Sequence, residues 1–176
     1  MFKTPRIVFE KISAADLDDL VALDSDAEVM RFISGGVPTD RQTYLDGLLG
    51  RMMAYDAPDL GYFAARGAGG FLGWFHLRPS VRQPETMLEV GYRLRRDMWG
   101  KGLATEGARQ LCRVAFEHHG APWVDACAVE ENLASIAVMR KCGMQPRGRF
   151  RHPRAPIEVL HYVADQAGFE DRLSSD

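Results

Sequence analysis

Cysteine is scarce here: Cys112, Cys127 and Cys142 are the only three in 176 residues. Their number is odd and no CxxC spacing occurs, so neither a disulfide framework nor a zinc site is expected. They fall on apolar faces and read as buried structural thiols. The five histidines show no ligand spacing either; His118 and His119 are adjacent and cannot share one helix face. No metal is therefore expected. The histidines read as surface or capping residues, with His76 and His161, on strand-like runs, placed to line an acceptor site. No stretch approaches the roughly 20 apolar residues of a membrane span, and Met1 to Arg6 lacks a long apolar h-region. A reducing cytoplasm is the default, without membrane contact. Positive charge is not in surplus: 22 Lys and Arg face 24 Asp and Glu, a formal net charge of −2. That balance argues against nucleic acid as a partner. Internal repeats, low-complexity tracts and linkers are absent, and the length fits a single domain over 1–176 with a sizeable core.

What is present alternates between the two periods of regular structure. Arg6 to Lys11 alternates apolar and polar residues and predicts a strand. Ser13 with Asp16 forms a capping-box-like start, and Leu17, Leu20, Val21 and Asp24 follow at helical spacing. Glu28 to Ile33 predicts a second helix, stopped by Ser34-Gly35-Gly36. Thr39 to Tyr55 predicts a third, burying Tyr44, Leu45, Leu48, Leu49 and Met52 and broken at Pro58. Strands are predicted over Gly61 to Arg66 and Gly70 to Leu77 around a glycine hairpin, and over Thr86 to Leu94. A long helix from about Leu103 to His118, a strand from Trp123 to Val129 and a helix from Asn132 to Cys142 come next. Met144 to Phe150 and Ile157 to Ala164 close the sheet, and Gly168 to Asp176 reads as a frayed tail. Two helical crossovers plus a hairpin imply an α/β fold with a mixed sheet covered by helices.

The segment Tyr92-Arg-Leu-Arg-Arg-Asp-Met-Trp-Gly-Lys-Gly-Leu-Ala-Thr-Glu106 joins a strand to a helix through Gly100-Lys101-Gly102. Backbone N–H groups at a helix start lack intrahelical partners, and the peptide dipoles add positive potential there. Glycines let a phosphate approach such a backbone closely, and Arg93, Arg95, Arg96 and Lys101 add charge. The stretch reads as a seat for a polyanion such as a pyrophosphate. It is not the dinucleotide fingerprint, which needs a third glycine. Nor is it a P-loop, since Gly102 stands where Ser or Thr would follow the lysine.

Trp99-Gly-Lys-Gly-Leu-Ala-Thr-Glu106 resembles the acyl-CoA pyrophosphate loop of the GNAT N-acetyltransferase superfamily, and the RimJ/RimL-type branch in particular. Asn132-Leu-Ala-Ser135-Ile-Ala-Val-Met-Arg-Lys141-Cys-Gly143-Met144 is similar to the family's Asn-x-x-Ser helix. Asp26-Ala-Glu-Val-Met-Arg-Phe-Ile33 resembles an early segment of the same branch. The resemblance implies a mixed, mostly antiparallel sheet flanked by helices and an acetyl-CoA-dependent N-acetyltransferase. Its acceptor would be a primary amine, on a protein N-terminus or a small molecule, and the protein would be a monomer or homodimer. Pantetheine would pair with backbone near Tyr92, Arg93 and Leu94. The pyrophosphate would lie over Trp99, Gly100, Lys101, Gly102, Leu103, Ala104 and Thr105, with Asn132 and Lys141 as further cofactor contacts. Trp99 departs from branches that place Gln or Arg there.

Acetyl transfer needs a deprotonated amine and a proton for the departing thiolate. Glu89 interrupts the apolar run Met87-Leu-Glu-Val and, half-buried beside a cleft, would have the raised pKa of a general base. Its plain alternative is a solvent-facing strand residue; Glu85 is a second acid nearby. Asn132 reads first as a helix N-cap. Ser135, one turn on, is implied by the resemblance as the acid. Other branches use a tyrosine at the position of Met139, a residue that cannot donate a proton. Lys141 reads as a solvated charge at a helix C-terminus or a partner for the CoA 3′-phosphate. Arg147, Arg149, Arg151 and Arg154 read as a solvated strand face that could attract an acidic acceptor. A non-catalytic acyl-CoA-binding module of the same fold and a nucleotide-binding regulatory domain are the competing readings.

Overall fold

Residues 2–153 and 157–175 are described by the computed structural model of the protein. The elements are β1 (Phe2–Lys3), β2 (Val8–Lys11), α1 (Leu17–Asp24), α2 (Ala27–Ser34), α3 (Arg41–Thr43), a π-turn (Tyr44–Leu48) and α4 (Leu49–Met53). Then come β3 (Gly61–Gly67), β4 (Gly70–Pro79), β5 (Met87–Leu94), α5 (Leu103–Glu117), β6 (Trp123–Ala128), α6 (Leu133–Lys141), β7 (Gln145–Arg151), β8 (Glu158–Ala164) and α7 (Gln166–Ser174). Strand order is β1-β2-β3-β4-β5-β6-β8-β7. The β5–β6 pair is parallel, whereas β1–β2, β2–β3, β6–β8 and β7–β8 are antiparallel. This is the mixed, mostly antiparallel α/β sheet that the sequence implied. By contacts the chain forms two compact units interleaved in sequence, one from 1–76 with 92–107 and one from 77–91 with 108–176.

In the first unit, aromatic residues at alternate strand positions make the core. Phe9, Phe63 and Phe75 are fully buried, with Phe2 stacked on Phe9 at 4.7 Å and Phe75 edge-on to Phe9 at 5.4 Å. Each such side chain contributes about 2–3 kcal/mol by leaving water. The capping pair forms as expected: Ser13 N and Oγ both donate to Asp16 Oδ2, at 2.8 and 3.0 Å. The helix predicted over 39–55 is instead three pieces, because a π-turn with Gly47 at φ 132° interrupts it. The extra residue in that turn rotates Leu45 outward, to 56% exposure, while Tyr44, Leu49 and Met52 stay buried. Asp24 has no exposed surface. It is tolerated because Tyr44 Oη donates to it at 2.8 Å and Arg93 Nη1 meets both its oxygens at 2.5 Å, satisfying a charge that would otherwise be costly to bury.

In the second unit, Leu111, Cys112 and Ala115 of α5 and Ile136 and Met139 of α6 are buried. The tail expected to fray forms α7 instead. Asp165 Oδ1 caps it by accepting from Gly168 N at 2.8 Å, and Phe169 is buried 5.5 Å from the Phe116 ring. A cap and one aromatic anchor outweigh the loss of chain entropy in so short a segment. β7 exposes Arg147, Arg149 and Arg151 as expected, with Arg149 paired to Glu130 at 2.8 Å; Arg154 lies outside the described residues. No helix among the described residues is long and apolar enough to cross a membrane.

Gly73 marks the tightest backbone approach in the first unit. Its φ is 140°, and a Cβ there would lie 2.1 Å from the Arg93 carbonyl oxygen. Backbone must move to admit even a methyl group. Gly73→Ala is therefore expected to destabilise by about 2 kcal/mol or more, read as a lower midpoint in urea unfolding. A midpoint equal to the parent's would contradict this packing.

Candidate active site

The basic loop belongs to the first unit. A 3₁₀ turn over Arg96–Met98 leads to extended Trp99, then Gly100 and Gly102 adopt φ of 72° and 78°, values open to glycine at little cost. Nothing lies within 4 Å of the position a Gly100 Cβ would take. Glu106 N donates to Gly102 O at 3.0 Å, so the N–H groups of Leu103, Ala104 and Thr105 stand at the helix start without helical acceptors. The polyanion seat expected from the sequence falls on this turn.

Two of the four cations the sequence suggested are engaged elsewhere. Arg93 is committed to Asp24. Arg95 chelates Asp97 at 3.1 and 2.9 Å and donates to Phe71 O at 3.2 Å. A groove of about 680 Å³ beside this turn is lined by both signs of charge, including Asp19, Asp26, Asp97, Arg95 and Arg96, which does not suit a polyanion. Lys101 and Arg96 remain exposed. Trp99 Nε1 donates to Leu94 O at 2.9 Å, and the residue is 46% exposed. That bond uses one backbone group of the stretch near which pantetheine was expected to pair. Tyr92 is half-buried, its ring 5.6 Å from Phe75.

Sequence reading missed Thr4, Arg6 and the role of Glu106. Arg6 Nη1 donates to Lys101 O at 2.7 Å, Arg6 Nε to Glu106 Oε2 at 2.6 Å, and Thr4 Oγ1 to Glu106 Oε1 at 2.5 Å. The Gly102 Cβ position faces Arg6 Nη2 at 3.4 Å, so this arginine backs the loop. Burial alone would raise the Glu106 pKa, but the bonds from Thr4 and Arg6 outweigh it and hold the carboxyl below its ordinary value. No local signal marks a pair separated by 100 residues.

Glu89, Asn132, Ser135 and Lys141 belong to the second unit. Glu89 is 5% exposed, more deeply buried than expected, which rules out the solvent-facing alternative. Arg78 Nη2 donates to its Oε1 at 2.6 Å and Val81 N to its Oε2 at 3.3 Å. Arg78, equally buried, was not foreseen; a guanidinium favours the carboxylate and opposes the effect of burial. Glu85 is exposed. Asn132 caps α6 as predicted, Oδ1 accepting from Ser135 N at 3.2 Å, and this joins the two motif residues. Ser135 is half-buried and Met139 buried. Lys141 is exposed at the helix end, where its carbonyl accepts from Arg109 at 2.8 Å. His76 and His161 are buried rather than superficial, and Cys127 sits among charges rather than on an apolar face.

A family model for the acetyltransferase (GNAT) domain matches residues 6–145. The chain belongs to the GNAT family. It is 34% identical over 129 residues to the FsC-acetyl coenzyme A-N(2)-transacetylase of Aspergillus fumigatus, a match covering 69% of the chain and 55% of that protein. The chain thus spans about half the length of the curated relatives it matches. A GNAT-family acetyltransferase from Bacillus anthracis has a similar structure, with TM-score 0.74 at 22% identity over 94% of this chain and 98% of that one. RimL, the ribosomal L7/L12 alpha-N-protein acetyltransferase, in complex with coenzyme A, gives TM-score 0.75 at 13% identity over 92% and 95%.

The Glu106 anchor of the GNAT loop has a pH signature. A carboxyl held below its ordinary 4.5 in the folded state contributes stability that is full above that value and lost as pH falls through the folded one. Urea unfolding at pH 6 and pH 3 should show a smaller loss on acidification in Glu106→Gln than in the parent. Equal losses would show that Glu106 titrates normally.

Proposed function

We propose that the protein transfers an acetyl group from acetyl-CoA to a primary amine. The observation that carries this reading is the Gly100–Gly102 turn, open above Gly100 and feeding N–H groups without helical acceptors at the start of a 15-residue helix. It fits a pyrophosphate through backbone dipoles, with Lys101 as the near cation. The CoA-bound state of RimL supports the same ligand here. Glu89 takes the proton from the attacking ammonium, directly or through water. The amine nitrogen then bonds to the thioester carbon and the C–S bond breaks; Ser135 gives its hydroxyl proton to the thiolate, and the second proton, shed by the nitrogen as the amide forms, returns through water to Ser135. Asn132, already fixing the Ser135 amide, sets that hydroxyl at the helix start.

The RimJ/RimL-type motifs favour a protein N-terminal amine, whereas the Aspergillus relative's name favours an amine on a small molecule. A panel holding both kinds, read by free-thiol release and product mass, decides the acceptor. Coenzyme A binding without thiol release from acetyl-CoA across that panel would favour a non-catalytic acyl-CoA-binding module.

Glu89→Gln keeps the shape but cannot accept the proton, so turnover should fall by about 10²-fold or more with acetyl-CoA affinity unchanged; a rate within twofold of the parent's would remove Glu89 as base. Ser135→Ala should lower kcat and spare acetyl-CoA affinity. Weaker binding with kcat preserved would make Ser135 part of the scaffold instead. Gly102→Val should abolish most CoA affinity in a folded protein, because a β-branched residue at φ 78° is strained by roughly 1–2 kcal/mol and presses on Arg6. An unchanged calorimetric titration would take the loop out of the site.

A further inference from the structure

Within the second unit, four ionisable side chains occupy successive strands: Arg78 on β4, Glu89 on β5, Asp125 on β6 and His161 on β8. All four are buried. Glu89 and Asp125 are direct register partners on parallel strands, so their side chains leave the same face about 5 Å apart. Asp125 Oδ2 accepts from Ser80 Oγ at 2.7 Å and meets His161 Nε2 at 2.9 Å, while Oδ1 is buried without a partner. Ser80 Oγ in turn accepts from Arg82 N at 3.1 Å. The serine addresses the carboxylate and not the imidazole, so this is not the arrangement of a serine nucleophile.

Cys127, two residues along β6, senses both acids. Its thiol is pushed up to about 12, by burial first and then by the charges of Glu89 and Asp125, with Arg78 pulling the other way. α6, packed on β6, carries the exposed Arg140 and Lys141. On β7, Phe150 lies edge-on to His161 at 5.6 Å, with the exposed Arg82 4.8 Å above its ring. The residue directly opposite Glu89 on β6 is the like-charged Asp125.

We propose that Asp125 is a positioning residue that keeps Glu89 a working base, its buried negative charge raising the affinity of Glu89 for a proton against the pull of Arg78. Arg78 alone would leave Glu89 a fixed carboxylate too weakly basic for an ammonium; a second carboxylate beside it restores basicity. His161 and Ser80 hold Asp125 in place through one oxygen. The inference rests on Glu89 being the base, yet its test does not depend on turnover.

The ¹³C-carboxyl signal of Glu89, assigned by its loss in Glu89→Gln, is followed against pH in the intact chain. In Asp125→Asn the Glu89 midpoint should fall by about half to one pH unit. In Ser80→Ala, which removes a bond but no charge, it should stay where it is. An unmoved midpoint in folded Asp125→Asn overturns the proposal, as do equal shifts in both variants. Asp125→Ser, which removes the same charge with a smaller side chain, must lower the Glu89 midpoint likewise, which keeps the test open if Asp125→Asn does not fold. Failure of Glu89 as base would appear separately, as undiminished acetyl transfer by Glu89→Gln.

Discussion

Two carboxylates standing opposite each other on parallel strands, both out of water, impose the main constraint on the second unit. Glu89 and Asp125 would repel strongly in a medium of low polarity, and each has been given a partner on its outer side: Arg78 at 2.6 Å for one, His161 at 2.9 Å for the other. The turn after β4 is fixed by the same pair, since Val81 N donates to Glu89 and Ser80 Oγ to Asp125. Leaving any one member unpaired would cost several kcal/mol. The arrangement is therefore specific in both position and charge, and it surrounds the residue to which the proposed chemistry assigns proton removal.

The first unit shows the same economy around its loop. Glu106 joins Thr4 and Arg6 to the start of α5, and Arg6 reaches the Lys101 carbonyl. The loop is thereby held by a backing arginine that is itself neutralised. What is left for a ligand is the helix-start backbone and two glycines, with the exposed side chains of Lys101 and Arg96 beside them. In the proposed function such a site would meet a pyrophosphate through fixed dipoles, which need no reorganisation as the ligand arrives.

The features legible in the sequence were local ones. The glycine loop, the Asn132 cap with Ser135 beside it and the Ser13–Asp16 cap all lie within a turn of the chain, and each is present. The misses were of two kinds. Arg78 with Glu89, Asp125 with His161, and Arg6 with Glu106 are pairs 11, 36 and 100 residues apart; no periodicity reports which charges will meet. Leu45 and α7 failed for a different reason. The π-turn over Tyr44–Leu48 puts Leu45 outside the face that regular helical spacing assigns it, and an Asp165 cap with one buried Phe169 suffices to order a tail that polarity alone marks as loose. Arg93 is the instructive error: counted as a phosphate cation from its place beside the loop, it turns inward to balance the fully buried Asp24.

The central claim is that the Gly100–Gly102 turn and the first N–H groups of α5 receive the pyrophosphate of acetyl-CoA. Backbone amide NMR of the intact chain, titrated with coenzyme A and in parallel with ATP, tests it most directly. The account predicts saturable shifts concentrated at Gly100 to Thr105 with coenzyme A and weaker binding of ATP. Saturation by coenzyme A that leaves those six amides unmoved, or tighter binding of ATP at the same amides, would contradict it.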